Sequence, residues 1–157
     1  MLRKAGTARA VTLDAAASGG GPGTDARLRA YVDTLIPADE TPSGTALAVH
    51  VKLAKVADGQ PDYRRLLDLG LAWLDREARA RFGRGFAQLS EGEREQVVGA
   101  AAQAPYDALP RVFFERTRAD AYFHYYGRRE SWRGIRGYRG PPQPLGFVDF
   151  TKPPARG

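Results

Sequence analysis

Apolar side chains recur at the spacing of an amphipathic helix along most of this chain. The first such pattern spans residues 24–36 and places apolar side chains at i, i+3, i+4, i+7 and i+8: Leu28, Tyr31, Val32, Leu35 and Ile36. Thr24 or Asp25 is expected to cap this helix, and Pro37 to end it, because proline lacks the amide hydrogen that a helix interior needs. A loop at residues 37–44 follows, and its Asp and Glu side chains are available to cap the next helix.

Two further helices are predicted in the middle of the chain. One covers residues 43–57, with Leu47, Val51 and Ala54 facing inward. The other covers residues 62–82, with Asp62 as its cap. Its inward face is formed by Tyr63, Leu66, Leu67, Leu71, Leu74 and Ala78. Gly83 and Gly85 are expected to end it, because glycine tolerates the left-handed conformation of a helix C-terminus.

The last two predicted helices follow clear start signals. "SEGE" at residues 90–93 is a capping box, in which Ser90 and Glu93 each bind the other's backbone amide. The helix after it buries Val97, Val98, Ala101 and Ala102. Pro105 and Pro110 precede a final helix at residues 107–124. After Gly127 the helical period disappears, and the proline-rich stretch "GPPQPLGFVDF" is incompatible with a helix.

These patterns predict an all-α protein, a small bundle of about five helices. A length of 157 residues fits one domain. Residues 24–126 form the predicted helical bundle. Residues 1–23 are interpreted as an extended N-terminal arm, flexible or bound to a partner. Residues 127–157 are interpreted as an extended partner-binding tail, irregular and rich in proline, arginine and aromatic residues.

The net charge of +6 is concentrated near the C-terminus. Seven basic residues follow Gly127 (Arg128, Arg129, Arg133, Arg136, Arg139, Lys152 and Arg156), against the two acids Glu130 and Asp149. Such a charge suits an anionic partner without choosing among nucleic acid, a membrane surface and an acidic protein. No apolar run is long enough for a membrane span. No apolar region follows Arg3 and Lys4, so a secretory signal is either missing or already removed.

Few residues suggest catalysis. Cysteine is absent, which excludes disulfides, thiolate metal sites and a cysteine nucleophile. His50 and His124 have no carboxylate or second histidine at ligand spacing, so each is interpreted as a surface or hydrogen-bonded structural histidine. The carboxylates of residues 75–77 and 91–95 are interpreted as partners in solvated ion pairs. Neither a P-loop, a GxSxG elbow nor a dinucleotide fingerprint is present.

Arginines and aromatic residues alternate in the stretch "YFHYYGRRESWRGIRGYRG", and this pattern permits three interpretations. The first interpretation is a small basic nucleic-acid-binding protein, because arginines neutralise phosphates and aromatic rings stack on bases. The second interpretation is a protein interface, because Trp, Tyr and Arg dominate the hot spots of such interfaces. The third is a segment folded back on its own bundle. Large apolar groups such as Trp132, Ile135 and Phe147 favour a protein interface, because leaving them in water is costly.

Three segments carry a family resemblance: "TLIPADETPSG" (34–44), "FAQLSEGEREQVV" (86–98) and "FFERTRADAYFHYYGRRESWRGIRGYRGP" (113–141). Their order and spacing resemble the small chain, gamma or subunit 3, of gluconate 2-dehydrogenase. The family pattern usually reads YGGN, GW and GYPG where this chain has "YGRRE", "SW" and "GYRG". The added arginines Arg128 and Arg139 imply a changed partner surface, such as a more acidic large subunit, and keep the nucleic-acid interpretation open.

The resemblance implies a non-catalytic accessory subunit without a cofactor of its own. A large subunit of the glucose–methanol–choline oxidoreductase type would hold FAD and oxidise the CH–OH donor, and a multihaem cytochrome c subunit often carries the electrons away. The small chain would bind and stabilise the large subunit and help its export. This implies a periplasmic complex, with a cytoplasmic one as the alternative. The residues expected to contact the partner are Tyr126, Arg128, Trp132, Arg133, Ile135, Tyr138, Arg139 and Phe147.

Overall fold

The computed structural model describes residues 22–132, and the regular secondary structure of this part of the chain is helical, without strands. Five α-helices follow one another: α1 (Pro22–Leu35), α2 (Val49–Gly59), α3 (Pro61–Phe82), α4 (Glu91–Gln103) and α5 (Leu109–Tyr126). Short 3₁₀ turns lie at Phe86–Gln88 and Arg129–Trp132. The predicted all-α bundle of about five helices is therefore confirmed. The arm at residues 1–21 and the tail beyond Trp132 lie outside the described residues.

The core is formed by the apolar faces that the sequence predicts, with a few exceptions. Fully buried side chains include Tyr31, Leu71, Leu74 and Phe113, which bring α1, α3 and α5 together. Val51 is an exception, because 52% of its surface is exposed although it was expected to face inward. The inward positions of α2 are taken by Val49, His50, Leu53 and Ala57.

Four helix starts differ from the sequence prediction, and one of them is that of α5, which begins at Leu109 and not at residue 107. Helix α1 begins at Pro22, so that Asp25 lies within its first turn and does not cap it. Helix α2 begins at Val49 and not at residue 43, because residues 43–48 form separate turns and Ala48 takes a left-handed conformation (φ 56°) without a side-chain cap. Gln60 lies at the N-cap position of helix α3 without a side-chain hydrogen bond, and Asp62 follows Pro61 in the first turn.

The predicted end of α3 and the predicted capping box of α4 are confirmed. Gly83 ends α3 with φ of 70°, and its amide donates to the carbonyl of Arg79. Ser90 and Glu93 form the capping box of α4: the Glu93 amide donates to Ser90 Oγ, and the Ser90 amide donates to the Glu93 carboxylate (2.8 Å). The last helix runs to Tyr126, two residues beyond its predicted end.

Helices α3 and α5 approach each other closely at Gly70. An added Cβ at this position would meet Phe113 Cδ2 at 2.1 Å, so the buried phenylalanine ring occupies the space that any larger residue needs. The same ring packs against Tyr31 of α1, with 4.9 Å between ring centroids. This contact fixes α5 against the other helices and thereby decides which face of α5 points outward.

Candidate docking surface

One face of α5 is buried and the opposite face is open to solvent. The buried positions recur at helical spacing: Phe113, Phe114, Thr117, Ala121 and Tyr125. The side chains between them must therefore point away from the bundle. Val112, Ala119, Phe123 and Tyr126 are exposed accordingly.

Aromatic side chains gather on the exposed face where α5 ends. Phe123 is 76% exposed, Tyr126 is 54% exposed and Tyr122 is 40% exposed. The rings of Tyr122 and Tyr126 lie 6.0 Å apart in an edge-to-face arrangement. We name these three residues, together with Arg128, Arg129 and Trp132, the C-terminal aromatic patch. Aromatic rings of this size normally avoid water, which makes the patch a candidate contact surface.

A tight turn holds Trp132 next to this helix end. The Gly127 amide donates to the carbonyl of Phe123 (3.2 Å), and the hydroxyl of Ser131 donates to the carbonyl of Arg128 (2.6 Å). Trp132 then folds back so that its indole Nε1 donates to the carbonyl of Tyr126 (3.0 Å). The turn therefore places the indole beside the last turn of α5.

The loop at residues 37–44 lies against the same end of α5. The hydroxyl of Tyr125 donates to Thr41 Oγ1 (2.9 Å) and lies within hydrogen-bond distance of the carbonyl of Pro42 (2.7 Å). Asp39 accepts from the amide and hydroxyl of Thr41, and these bonds lower the pKa of its carboxyl. Asp39 thus stabilises its own loop. It does not cap α2, although the sequence had suggested that it could.

Within the described residues, the two arginines of the patch, like Arg65 and Arg76 of α3, lack the ion pairs that most helix arginines form. Many helix arginines are paired within their own helix, such as Arg79 with Asp75 and Arg81 with Glu77, which confirms the predicted ion-pair face at residues 75–77. Arg128 and Arg129, in contrast, form no ion pair within residues 22–132. A guanidinium group can bind a carboxylate in a bidentate geometry.

The bundle itself carries no formal net charge. Of the 24 basic and 18 acidic residues in the sequence, eight basic and two acidic ones lie outside residues 22–132, which leaves 16 of each. The whole net charge of +6 thus comes from the two terminal segments. A nucleic-acid surface would depend on those segments, because the described body offers no excess of positive charge.

The "LSEGER" segment serves the architecture of the bundle. Arg84 donates to both oxygens of Glu93 (2.7 and 2.9 Å), and the same carboxylate accepts from Ser90. The hydrogen bonds from Ser90, with the charge of Arg84 adding to them, lower the pKa of Glu93. Arg94 donates to the carbonyl of Leu89 (3.2 Å). The Glu93 carboxylate thus has structural partners at the start of α4.

The histidine prediction is wrong for His50. Only 4% of its surface is exposed, and neither ring nitrogen has a hydrogen-bond partner, so it is neither a surface residue nor a hydrogen-bonded one. Burial, with the charge of Arg29 adding to it, lowers the pKa of this imidazole. Within residues 22–132, no three His, Asp or Glu side chains are grouped so that they would bind a metal ion. Among these same residues, no helix is both long enough and apolar enough to cross a bilayer.

The structure describes three of the eight residues predicted to contact a partner. Tyr126, Arg128 and Trp132 lie together in the C-terminal aromatic patch. The others (Arg133, Ile135, Tyr138, Arg139 and Phe147) lie outside the described residues. The sequence analysis missed Phe123 as a surface residue, although the spacing of Phe113, Thr117 and Ala121 would have placed it on the outer face of the helix.

Comparisons with curated proteins and with solved structures gave no match. The model of one protein family, gluconate 2-dehydrogenase subunit 3, matches residues 24–140. This range covers most of the chain and contains the bundle, apart from the first two residues of α1, and the C-terminal aromatic patch. The chain therefore belongs to the gluconate 2-dehydrogenase subunit 3 family.

Proposed function

We propose that this chain is the non-catalytic small subunit that binds and stabilises the FAD-containing large subunit of a gluconate, sugar or alcohol dehydrogenase complex. The family describes a subunit of such a complex, which implies partner subunits. FAD and the oxidation of the CH–OH donor are assigned to a large partner of the glucose–methanol–choline type, and no cofactor is assigned to this chain. A multihaem cytochrome c is a further candidate partner.

The observation that carries this proposal is the C-terminal aromatic patch. Phe123 and Tyr126 expose large rings on a helix that is rigidly held by its other face. Buried Tyr, Trp and Arg anchors supply most of the binding energy in protein interfaces. Covering these rings with a partner would remove apolar surface from water, at about 25 cal/mol per Å².

The arginines of the patch support a partner whose facing surface is acidic. Arg128 and Arg129 lie beside the exposed rings and form no ion pair within the described residues. Arginine binds carboxylates in a bidentate geometry, and such pairs orient a complex as well as stabilise it. An aromatic centre with flanking arginines is the arrangement expected of a specific docking site.

Stabilisation of the partner follows from mass action. A subunit that binds only the folded large subunit shifts the folding equilibrium of that subunit towards the folded state.

We assign the complex to the periplasm, and we assign to this chain a role in exporting its partner. These assignments are tested by fractionating the host cells.

The test is co-purification from the native host, with flavin absorbance and the mass of the captured protein as readouts. The test variant is Phe123→Ser with Tyr126→Ser, and the matched control is Val51→Ser with Leu69→Ser, which removes exposed apolar residues from other helices. Wild type and control should capture a yellow flavoprotein. The test variant should bind it at least ~30-fold more weakly, since one hot-spot residue is worth about 2 kcal/mol.

Two results would contradict the proposal. Equal capture of the flavoprotein by the two double variants would show that the C-terminal aromatic patch is not the docking surface. A colourless wild-type preparation that carries nucleic acid, released by added salt, would instead support the nucleic-acid interpretation.

A further inference from the structure

The outer face of α5 is an apolar row that extends well beyond the C-terminal aromatic patch. Its positions alternate in spacing between four and three residues, and we name them the outer seam of α5: Val112, Arg116, Ala119, Phe123 and Tyr126. This alternation is the one by which helices pack side by side in coiled coils. An 18-residue helix is about 27 Å long, so the outer seam offers a contact of several turns.

The charged side chains beside the outer seam are paired within α5. Glu115 forms ion pairs with Arg111 (2.8 Å) and Arg118 (2.6 Å) on one flank. On the other flank, Arg116 binds Asp120 (3.0 Å). A partner therefore needs no matching charges along the length of the helix, and an apolar stripe is the surface that complements it.

Arg116 occupies a position of the outer seam, but its guanidinium group lies to one side of the seam, towards Asp120 and Tyr63. The guanidinium binds Asp120 and lies 5.6 Å from the centre of the Tyr63 ring on α3. The aliphatic stem of an arginine held in this way adds apolar surface. Ala119 follows as the smallest side chain of the outer seam, near its middle, where it permits a second helix to approach closely.

The two ends of the outer seam differ in charge. Arg128 and Arg129 follow directly after the C-terminal end of α5 and form no ion pair within the described residues. A helix lying antiparallel to α5 would bring its own N-terminus next to them. Carboxylates are favoured in the first turn of a helix because they complement its dipole, and here they would also meet the two arginines.

We propose that the outer seam of α5 receives an amphipathic α-helix of the flavin-containing large subunit, packed antiparallel with its acidic first turn beside Arg128 and Arg129. This inference rests on the proposed function and specifies the form of the contact. The helix buries its apolar stripe against Val112, Ala119, Phe123 and Tyr126.

The test places a photo-reactive benzoylphenylalanine at position 119 of the chain, within the complex purified from its native host. The control carries the same group at Val51, which is also exposed but lies on α2. Irradiation should cross-link position 119, and not position 51, to a helical segment of the flavoprotein. In a second experiment, Ala119→Arg should weaken capture of the flavoprotein at least tenfold, whereas Val51→Arg should leave it unchanged.

The outcomes separate this inference from the proposed function. If wild type captures no flavoprotein, the proposed function fails and the inference fails with it. If wild type captures the flavoprotein but Ala119→Arg captures it equally well, only the inference is overturned. A cross-link from position 119 to a loop or strand of the flavoprotein, or to a second copy of this chain, also overturns it. Circular dichroism checks that each variant folds. If Ala119→Arg does not fold, the cross-linking experiment alone tests the inference.

Discussion

Replacing Gly70 by alanine tests the closest helix contact in the bundle. The added Cβ would lie 2.1 Å from Cδ2 and 2.2 Å from Cγ of Phe113, far inside van der Waals contact. Phe113 has no free space to move into, because it is fully buried and its ring packs against Tyr31. Either α3 moves away from α5 or the ring leaves its place.

The size of the effect follows from three contributions to the free energy of unfolding. Overpacking a core costs about 1–3 kcal/mol, and a contact this short belongs at the upper end. Disturbing the aromatic pair of Phe113 and Tyr31 adds up to ~1.5 kcal/mol. Alanine returns ~1 kcal/mol through its higher helix propensity. We expect Gly70→Ala to lower the stability by about 2–3.5 kcal/mol, which corresponds to a melting temperature lower by roughly 4–14 °C.

Gly99→Ala is the matched control, because Gly99 also lies inside a helix but has open space around its Cβ position. This variant should be more stable than wild type by about 0.5–1 kcal/mol. Urea unfolding followed by circular dichroism measures both changes. A Gly70→Ala variant as stable as wild type would refute the reasoning. Phe113→Leu should reduce the cost of Gly70→Ala, because the two positions share one space.

Two further predictions concern a tyrosine and a histidine. Tyr125→Phe removes the hydroxyl that is bound to the loop at residues 37–44, so urea unfolding should show a free energy of unfolding lower by about 1–3 kcal/mol. Tyr126→Phe is the control and should change this free energy little, because Tyr126 is exposed. His50 has a lowered pKa through burial, so the unfolded chain binds a proton more readily than the folded one. Its contribution to stability is therefore complete above pH 6.5 and decreases as the pH falls below that value. Urea unfolding at pH 8 and pH 5.5 measures how much the free energy of unfolding decreases on acidification. This decrease should be smaller for His50→Leu than for wild type and for His124→Gln, and an equal decrease in all three would contradict the prediction.

Much of the fold was predictable because its signals are local. The capping box of Ser90 and Glu93 and the left-handed Gly83 each depend on residues close in sequence, and both were predicted correctly. The start of α2 was not, because it depends on a contact between distant residues. Asp33 of α1 accepts from the amide and hydroxyl of Thr45, and this bond holds residues 43–48 in turns ahead of the helix.

The errors on α2 have a tertiary cause. A helical pattern fixes the relative positions of side chains but not the direction in which a short helix faces. Val51 and His50 are neighbours in sequence, and the packing of α2 turns the histidine inward and the valine outward. By hydropathy alone, the opposite orientation is favoured. The burial of an imidazole without hydrogen bonds can therefore be read only from the structure.

The residues of the candidate docking surface were predictable from the sequence, but the contacts that hold them in place were not. The sequence identified the aromatic and basic residues around Trp132, whereas the contribution of the loop at residues 37–44 depends on one hydroxyl group of Tyr125, more than 80 residues away in sequence. Tyr125 binds the loop on the inner side of α5, and the adjacent Tyr126 is exposed on the outer side. The last turn of α5 is therefore fixed from within, so its exposed rings are held in place before any partner binds. Preorganisation of this kind reduces the entropy lost on association. It follows that Tyr125→Phe should weaken docking although Tyr125 itself is buried, and that this loss should accompany the loss of stability.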